Sequence, residues 1–184
     1  RISEGLHIKA DASSKSTEEL ARQLGIPLVP LSGIDHIDIT IDGADEVDDQ
    51  LNLIKGGGGA LLREKILAIH SKKLYIVVDE SKLVHRLGQF PLPVETVPFA
   101  ANLTIQKLKQ LHCESVVRMV NGDEFITDNG NLIIDCSFKE ISDPADLHKL
   151  LNLIPGVVDN GLFIGMATAV VVGCEDGSIR MLYR

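Results

Sequence analysis

The sequence runs to 184 residues, 45% of them hydrophobic and 24% charged; this is enough apolar chain for one domain or two small ones, and it excludes a peptide-like, disordered or fibrous protein. A net charge of −8, from 18 Lys and Arg against 26 Asp and Glu, excludes a broad basic surface for nucleic acid or an anionic membrane, so any anionic ligand needs a local site. Cys113, Cys136 and Cys174 are odd in number and far apart, which suggests neither zinc nor a redox pair and fits a reducing cytoplasm.

The chain opens Arg-Ile-Ser-Glu, which is neither a signal nor a transit peptide and reads as a chain whose start has been lost or removed. Short β-type runs then alternate with helical patterns, the signature of βαβ units and a mostly parallel sheet. Gly5 to Ala10 reads as a strand, followed by a Ser/Thr-rich turn and a helix from Thr17 to Leu24 that Gly25 closes. Ile26 to Leu31 and Ile37 to Ile41 read as the next strands. After Lys55 and four glycines a helix is predicted from Ala60 to about His70, and Leu74 to Val78 reads as a strand buried on both faces. Past Phe90-Pro-Leu-Pro93 the order becomes β (Glu95 to Val97), α (Ala101 to Leu111), β (Ser115 to Val120), β (Leu132 to Cys136), α (Pro144 to Leu151) and β (Gly161 to Met166), a ferredoxin-like unit. Ala167 to Tyr183 reads as strand, turn, strand returning to the first sheet. The expected fold is therefore α/β: a Rossmann-like sheet domain from residues 1–90 with 167–184, and an inserted ferredoxin-like α+β domain at 91–166. The longest nearly uncharged apolar stretch, Leu162 to Cys174, is too short for a spanning helix of about 20 residues.

Three features carry candidate chemistry. Asp42-Gly-Ala-Asp-Glu46 follows directly on a strand, where α/β sheets place ligands, and with Asp48 and Asp49 it puts five acids into eight residues. Such crowding raises one carboxyl pKa so that acid and base coexist; a solvated acidic turn is the competing reading. Lys55 with Gly56 to Gly59 at a helix start suits a phosphate, carboxylate or enolate, because glycine admits close approach and free N–H groups favour an anion. It is not a Walker A loop, and the G-x-G-x-x-G pattern is broken at Leu61. Glu64 has Ala60, Leu61, Leu67 and Ala68 as its helical neighbours, so its partner must lie elsewhere; a carboxylate in that setting is either a general base of raised pKa or a surface glutamate. Arg63 and Lys65 have equally apolar neighbours, so the pattern singles out Glu64 only weakly. Lys82 follows the Leu74 to Val78 strand at the same end of a parallel sheet as Asp42 and Lys55, within reach of a substrate phosphate or simply in solvent. The six histidines show no paired spacing, and no nucleophile elbow is present.

In this order, the blocks IDGADEVD (Ile41 to Asp48), LIKGGGGALLREK (Leu53 to Lys65), VVDESK (Val77 to Lys82), FPLPVE (Phe90 to Glu95), TDNGN (Thr127 to Asn131) and IPGVVDNGLF (Ile154 to Phe163) resemble the type A ribose-5-phosphate isomerases. The resemblance, from about Ser13 to the C-terminus, implies interconversion of ribose 5-phosphate and ribulose 5-phosphate in the pentose phosphate pathway. It implies no metal or organic cofactor and a homodimer or homotetramer. Carried over by residue, it makes Glu64 the general base acting through a cis-enediolate. Lys55 with the N–H groups of Gly56, Gly57 and Gly58 would stabilise the oxyanion. Asp42 and Asp45 would hold hydroxyls, with Gly43 and Ala44 lining the same loop; Asp42 would also assist ring opening and proton movement, and Lys82 would bind the phosphate. The family also carries a strand and a G-T-G-S-T-type phosphate loop ahead of the region where this sequence begins. Without them an uncovered apolar sheet surface is expected, and the alternatives are an inactive form of the isomerase, a non-catalytic sugar-phosphate-binding module or, more distantly, an acyl-CoA transferase.

Overall fold

The computed structural model describes residues 4–184. Its first sheet has the order β1-β4-β12-β13, built from β1 (Ile37–Asp42), β4 (Ser71–Asp79), β12 (Ala169–Gly173) and β13 (Ile179–Tyr183). The first three strands are parallel, and β13 returns antiparallel through the predicted C-terminal hairpin. The second sheet has the order β10-β5-β9-β6, all antiparallel, from β5 (Leu92–Thr96), β6 (Glu114–Val117), β9 (Leu132–Ser137) and β10 (Val157–Asn160). With α3 (Ala101–Lys109) and α4 (Pro144–Asn152) this is the ferredoxin-like order expected. The last strand of the unit is Val157–Asn160 rather than Gly161 to Met166, because Pro155-Gly156 ends the turn earlier and lets Val157 pair with Thr96.

Two expected strands fail for lack of pairing partners, and two further elements differ from expectation. Gly5 to Ala10 and Ile26 to Leu31 form no strands; they meet only at an isolated bridge between Ala10 and Leu28. The helix between them, α1 (Lys15–Gln23), starts two residues early because the Ser14 side chain caps the Thr17 N–H. Strand β4 alternates rather than being buried on both faces. Leu74, Ile76 and Val78 join Val170 and Val172 in one core, whereas Val77 on the opposite face is half exposed. That face also carries the exposed Ile39, Ile41, Ile179, Met181 and Tyr183, the uncovered apolar surface anticipated from the sequence. Among the described residues no helix is long and apolar enough to cross a membrane.

Two small elements were not anticipated, and the first of them builds the site. Strands β2 (Glu46–Val47), β3 (Leu53–Ile54) and β11 (Leu162–Phe163) form a three-stranded antiparallel sheet between the two apolar clusters. Its Val47, Leu53 and Phe163 belong to the first cluster, and its Ile54 and Leu162 to the second. The other is the hairpin of β7 (Met119–Val120) and β8 (Asp123–Glu124).

Candidate active site

Asp42 ends β1, Asp45 sits just before β2, Lys55 follows β3 and Glu64 lies in the first turn of α2 (Leu61–Ile69). The small sheet brings them together: the Asp45 N–H donates to the Ile54 carbonyl at 2.8 Å, and the Lys55 N–H donates to the Gly161 carbonyl at 2.9 Å. Lys55 is only 3% exposed. Its Nζ donates to the Gly43 carbonyl at 2.6 Å and lies 3.0 Å from Asp42 Oδ2 and 3.2 Å from Glu64 Oε2. The distant partner that Glu64 requires is therefore Lys55. Glu64 Oε2 is buried and, among the described residues, has no hydrogen-bond donor besides Lys55. Burial pushes the Glu64 carboxyl above its ordinary value; Lys55 pulls it back, while the negative charges of Asp42 and Asp45 add to the rise.

The glycine segment is a tight turn ahead of the helix rather than the helix start itself. The Gly59 N–H donates to the Gly56 carbonyl at 2.9 Å, and α2 begins at Leu61. Asp45 Oδ2 accepts the Gly57 N–H at 2.8 Å, an approach so close that a Cβ at Gly57 would collide with the carboxylate. Gly59, at φ +82°, lies against the Phe125 ring with no room for a side chain. Such a turn is pinned on both flanks.

The acidic segment is not a solvated turn. Asp42 and Asp45 face Lys55 and the glycine turn. Buried Glu46 accepts the Gly88 and Phe90 N–H groups at 2.7 and 2.5 Å. Asp48 accepts the backbone N–H groups of Gln50 and Asn52, and Asp49 pairs with exposed His85. Ala44 packs against the first core. Lys82 lies half-buried in the turn Glu80–Lys82 after β4, where its charge acts on Asp79. It is at the same sheet end as Asp42, as β1 and β4 are parallel, but no ion pair or hydrogen bond among the described residues joins it to the Lys55 group.

Sequence reasoning missed three contributors. Phe163 is fully buried, with its ring centroid 5.5 Å from Lys55 Nζ and 5.0 Å from Lys65 Nζ. Arg118 donates to the carbonyls of Gly56 and Gly57 at 2.8 and 2.9 Å. Glu95, wholly buried, accepts from Thr127, Asn129 and Asn131 on one oxygen, and Arg63 donates to Asn129 and Asp128 from α2. Arg118 left no local signal: it lies within the run Ser115 to Val120, and Asp135 stands directly opposite Val116 rather than Arg118.

The sequence model of ribose 5-phosphate isomerase A (phosphoriboisomerase A) matches residues 10–177. The ribose-5-phosphate isomerase A of Bacillus mycoides (strain KBAB4) is 54% identical over 96% of this chain and 80% of its own length; that of Parvibaculum lavamentivorans is 48% identical over 97% and 80%. Ribose 5-phosphate isomerase A from Methanocaldococcus jannaschii superposes with a TM-score of 0.93 at 42% identity, covering 100% of this chain and 81% of that one. A D-ribose-5-phosphate isomerase in complex with phospho-erythronic acid superposes at 0.92 with 44% identity, covering 96% and 78%. With its motif blocks, its fold and the Asp42–Lys55–Glu64 group in place, the chain belongs to the ribose 5-phosphate isomerase A family.

Proposed function

We propose that this chain interconverts ribose 5-phosphate and ribulose 5-phosphate, with Glu64 as the general base. The observation that carries the reading is the buried Glu64 Oε2, which stands 3.2 Å from the Lys55 ammonium and has no other donor. A base and the cation that would compensate the charge it creates thus stand side by side. Glu64 takes the proton from C2 of the open-chain aldose as the C1 carbonyl oxygen becomes an oxyanion, and the resulting cis-enediolate receives the proton at C1. Lys55 and the N–H groups of Gly56 and Gly58 stabilise that oxygen, while the Gly57 N–H is engaged by Asp45 Oδ2. Asp42 assists ring opening and moves the remaining proton between O1 and O2; Asp45, with the Gly43–Ala44 backbone, holds the sugar hydroxyls. Lys82 receives the phosphate, a role supported by its place at the same sheet end as Asp42.

The site should also hold a phosphorylated four-carbon acid such as phospho-erythronic acid, whose carboxylate takes the place of the enediolate oxygens. We further place the protein in the cytoplasm, supported by its free cysteines, as a homodimer or homotetramer that sedimentation would identify. The deciding experiment follows ribulose 5-phosphate formation by the chain and by Glu64→Gln. Loss of at least about a thousandfold in kcat is expected, within the range for a residue that performs the proton transfer. Turnover within a few-fold of the parent would remove Glu64 from the reaction. Substrate binding without turnover in the parent chain would leave a binding module.

A further inference from the structure

In a trans peptide the carbonyl oxygen of one residue and the N–H of the next point in opposite directions. Fixing a carbonyl on one side of a loop therefore aims the following N–H at the other side. The glycine turn has two carbonyls fixed in this way by a single group: Nη1 of Arg118 donates to Gly56 O at 2.8 Å and to Gly57 O at 2.9 Å. The N–H groups thereby aimed away from Arg118 are those of Gly57 and Gly58. The Gly57 N–H meets Asp45 Oδ2 at 2.8 Å, the charge of Asp45 acts on Glu64, and a side chain at Gly58 would meet nothing within 4 Å.

Arg118 is itself held rigidly. Its Nε and Nη2 donate to the two carboxylate oxygens of Asp135 in β9 at 2.9 and 2.5 Å, a two-pronged pairing that fixes the guanidinium plane. The side chain is 12% exposed, and its guanidinium carbon lies 5.9 Å from the Phe125 ring centroid. The same ring covers Gly59. Asp135, Arg118 and Phe125 thus form a backing plate behind the turn, built from the second sheet and its appended loop, while the reacting groups come from the ends of β1 and β3 and from α2.

We propose that Arg118 is a positioning residue: by tethering the Gly56 and Gly57 carbonyls to Asp135 it holds the Gly57 N–H on Asp45 and aims the Gly58 N–H at the oxygen that becomes negative during isomerisation. The inference rests on the site reading given above. Lysine cannot reproduce the arrangement, because one ammonium lacks the planar fork that meets Asp135 on one edge and two carbonyls on the other. Glycine has the widest backbone freedom of any residue, so a turn of four glycines keeps this orientation only if something outside the turn imposes it.

The test separates aiming from mere folding. Arg118→Met and Arg118→Lys are compared with the parent chain for kcat, for KM and for affinity toward two probes: phospho-erythronic acid, which carries a carboxylate where the oxyanion forms, and ribitol 5-phosphate, which carries only a hydroxyl there. Misaimed oxyanion donors should cost Arg118→Met about 30- to 100-fold in kcat with KM within about threefold, and Arg118→Lys an intermediate amount. Affinity for phospho-erythronic acid should fall about tenfold or more while ribitol 5-phosphate binds within about twofold of the parent, since only the former presents anionic oxygen to the N–H groups. Equal weakening of both probes, an unchanged kcat, or failure of both variants to fold would overturn the inference and leave Arg118 a structural link. Glu64→Gln, run in parallel, distinguishes the failures. An inert Arg118→Met beside an inactive Glu64→Gln defeats the positioning role alone, and full activity in both defeats the site reading beneath it.

Discussion

Two buried lysines share the Phe163 ring, and the surroundings of Lys55 and Lys65 differ in what is left unsatisfied. Lys65 Nζ donates to Asp159 Oδ1 at 2.7 Å and to the Asn160 carbonyl at 2.5 Å. Asp159 Oδ1 also accepts the Asn160 N–H. Lys55 has one carbonyl and two carboxylates around it, and the buried oxygen of one of them, Glu64, has no donor besides that ammonium. Burial lowers the Lys65 pKa, with Asp159 opposing it, and raises that of Glu64, with Lys55 opposing it. The same desolvation therefore produces a closed structural pair in one region and an open reactive one in the other.

The comparison sharpens when each cation is removed in turn. Lys55→Met should lower kcat by about a hundred- to a thousandfold, the usual cost of a missing oxyanion donor, as measured by ribulose 5-phosphate formation. Lys65→Met should act on stability, costing about 3 kcal/mol because it strands Asp159 in a site where that carboxylate is only 13% exposed. Denaturant titration would show it, and adding Asp159→Asn should recover part of the loss, with kcat per folded molecule within a few-fold of the parent. A stability loss in Lys55→Met as large as that in Lys65→Met, with little change in kcat, would erase the distinction. Phe163→Leu should affect both sides modestly, costing about 1–2 kcal/mol from lost packing and cation–π contact, with a few-fold fall in kcat.

Much of this was legible in the sequence, and the part that was not has a physical pattern. Asp42, Lys55 and the glycines declare themselves because a strand end, a cation and a close-approach turn each leave a local signature. Glu64 was weak by pattern because Arg63, Glu64 and Lys65 sit equally among apolar neighbours. The structure shows why: these three consecutive residues each reach a different distant partner, Arg63 to the Asp128–Asn129 loop, Glu64 to Lys55 and Lys65 to Asp159. Such pairings, separated by as many as 94 residues for Lys65, have no signature in a window of sequence. The blocks TDNGN and IPGVVDNGLF signal the family without disclosing that one supplies three donors to a single oxygen of buried Glu95 and the other supplies Asp159 and Phe163. The small sheet of β2, β3 and β11 escaped notice because strands of two residues carry no periodicity.

The finest prediction concerns how the open pair titrates. The Glu64 carboxyl has an ordinary value of 4.5 and is raised in the folded chain, so the folded state holds this proton more tightly than the unfolded chain does. The associated stability is fully present below the ordinary value and is lost as pH rises from there through the folded pKa. Denaturant midpoints measured across that window should fall with pH more steeply in the parent than in Glu64→Gln, which has no proton to release. Turnover should rise over the same interval, because the base works only once ionised. Parallel stability profiles in the two proteins would show that burial is fully offset by Lys55, whereas a shared midpoint for gained activity and lost stability would identify the strained carboxylate as the group that does the work.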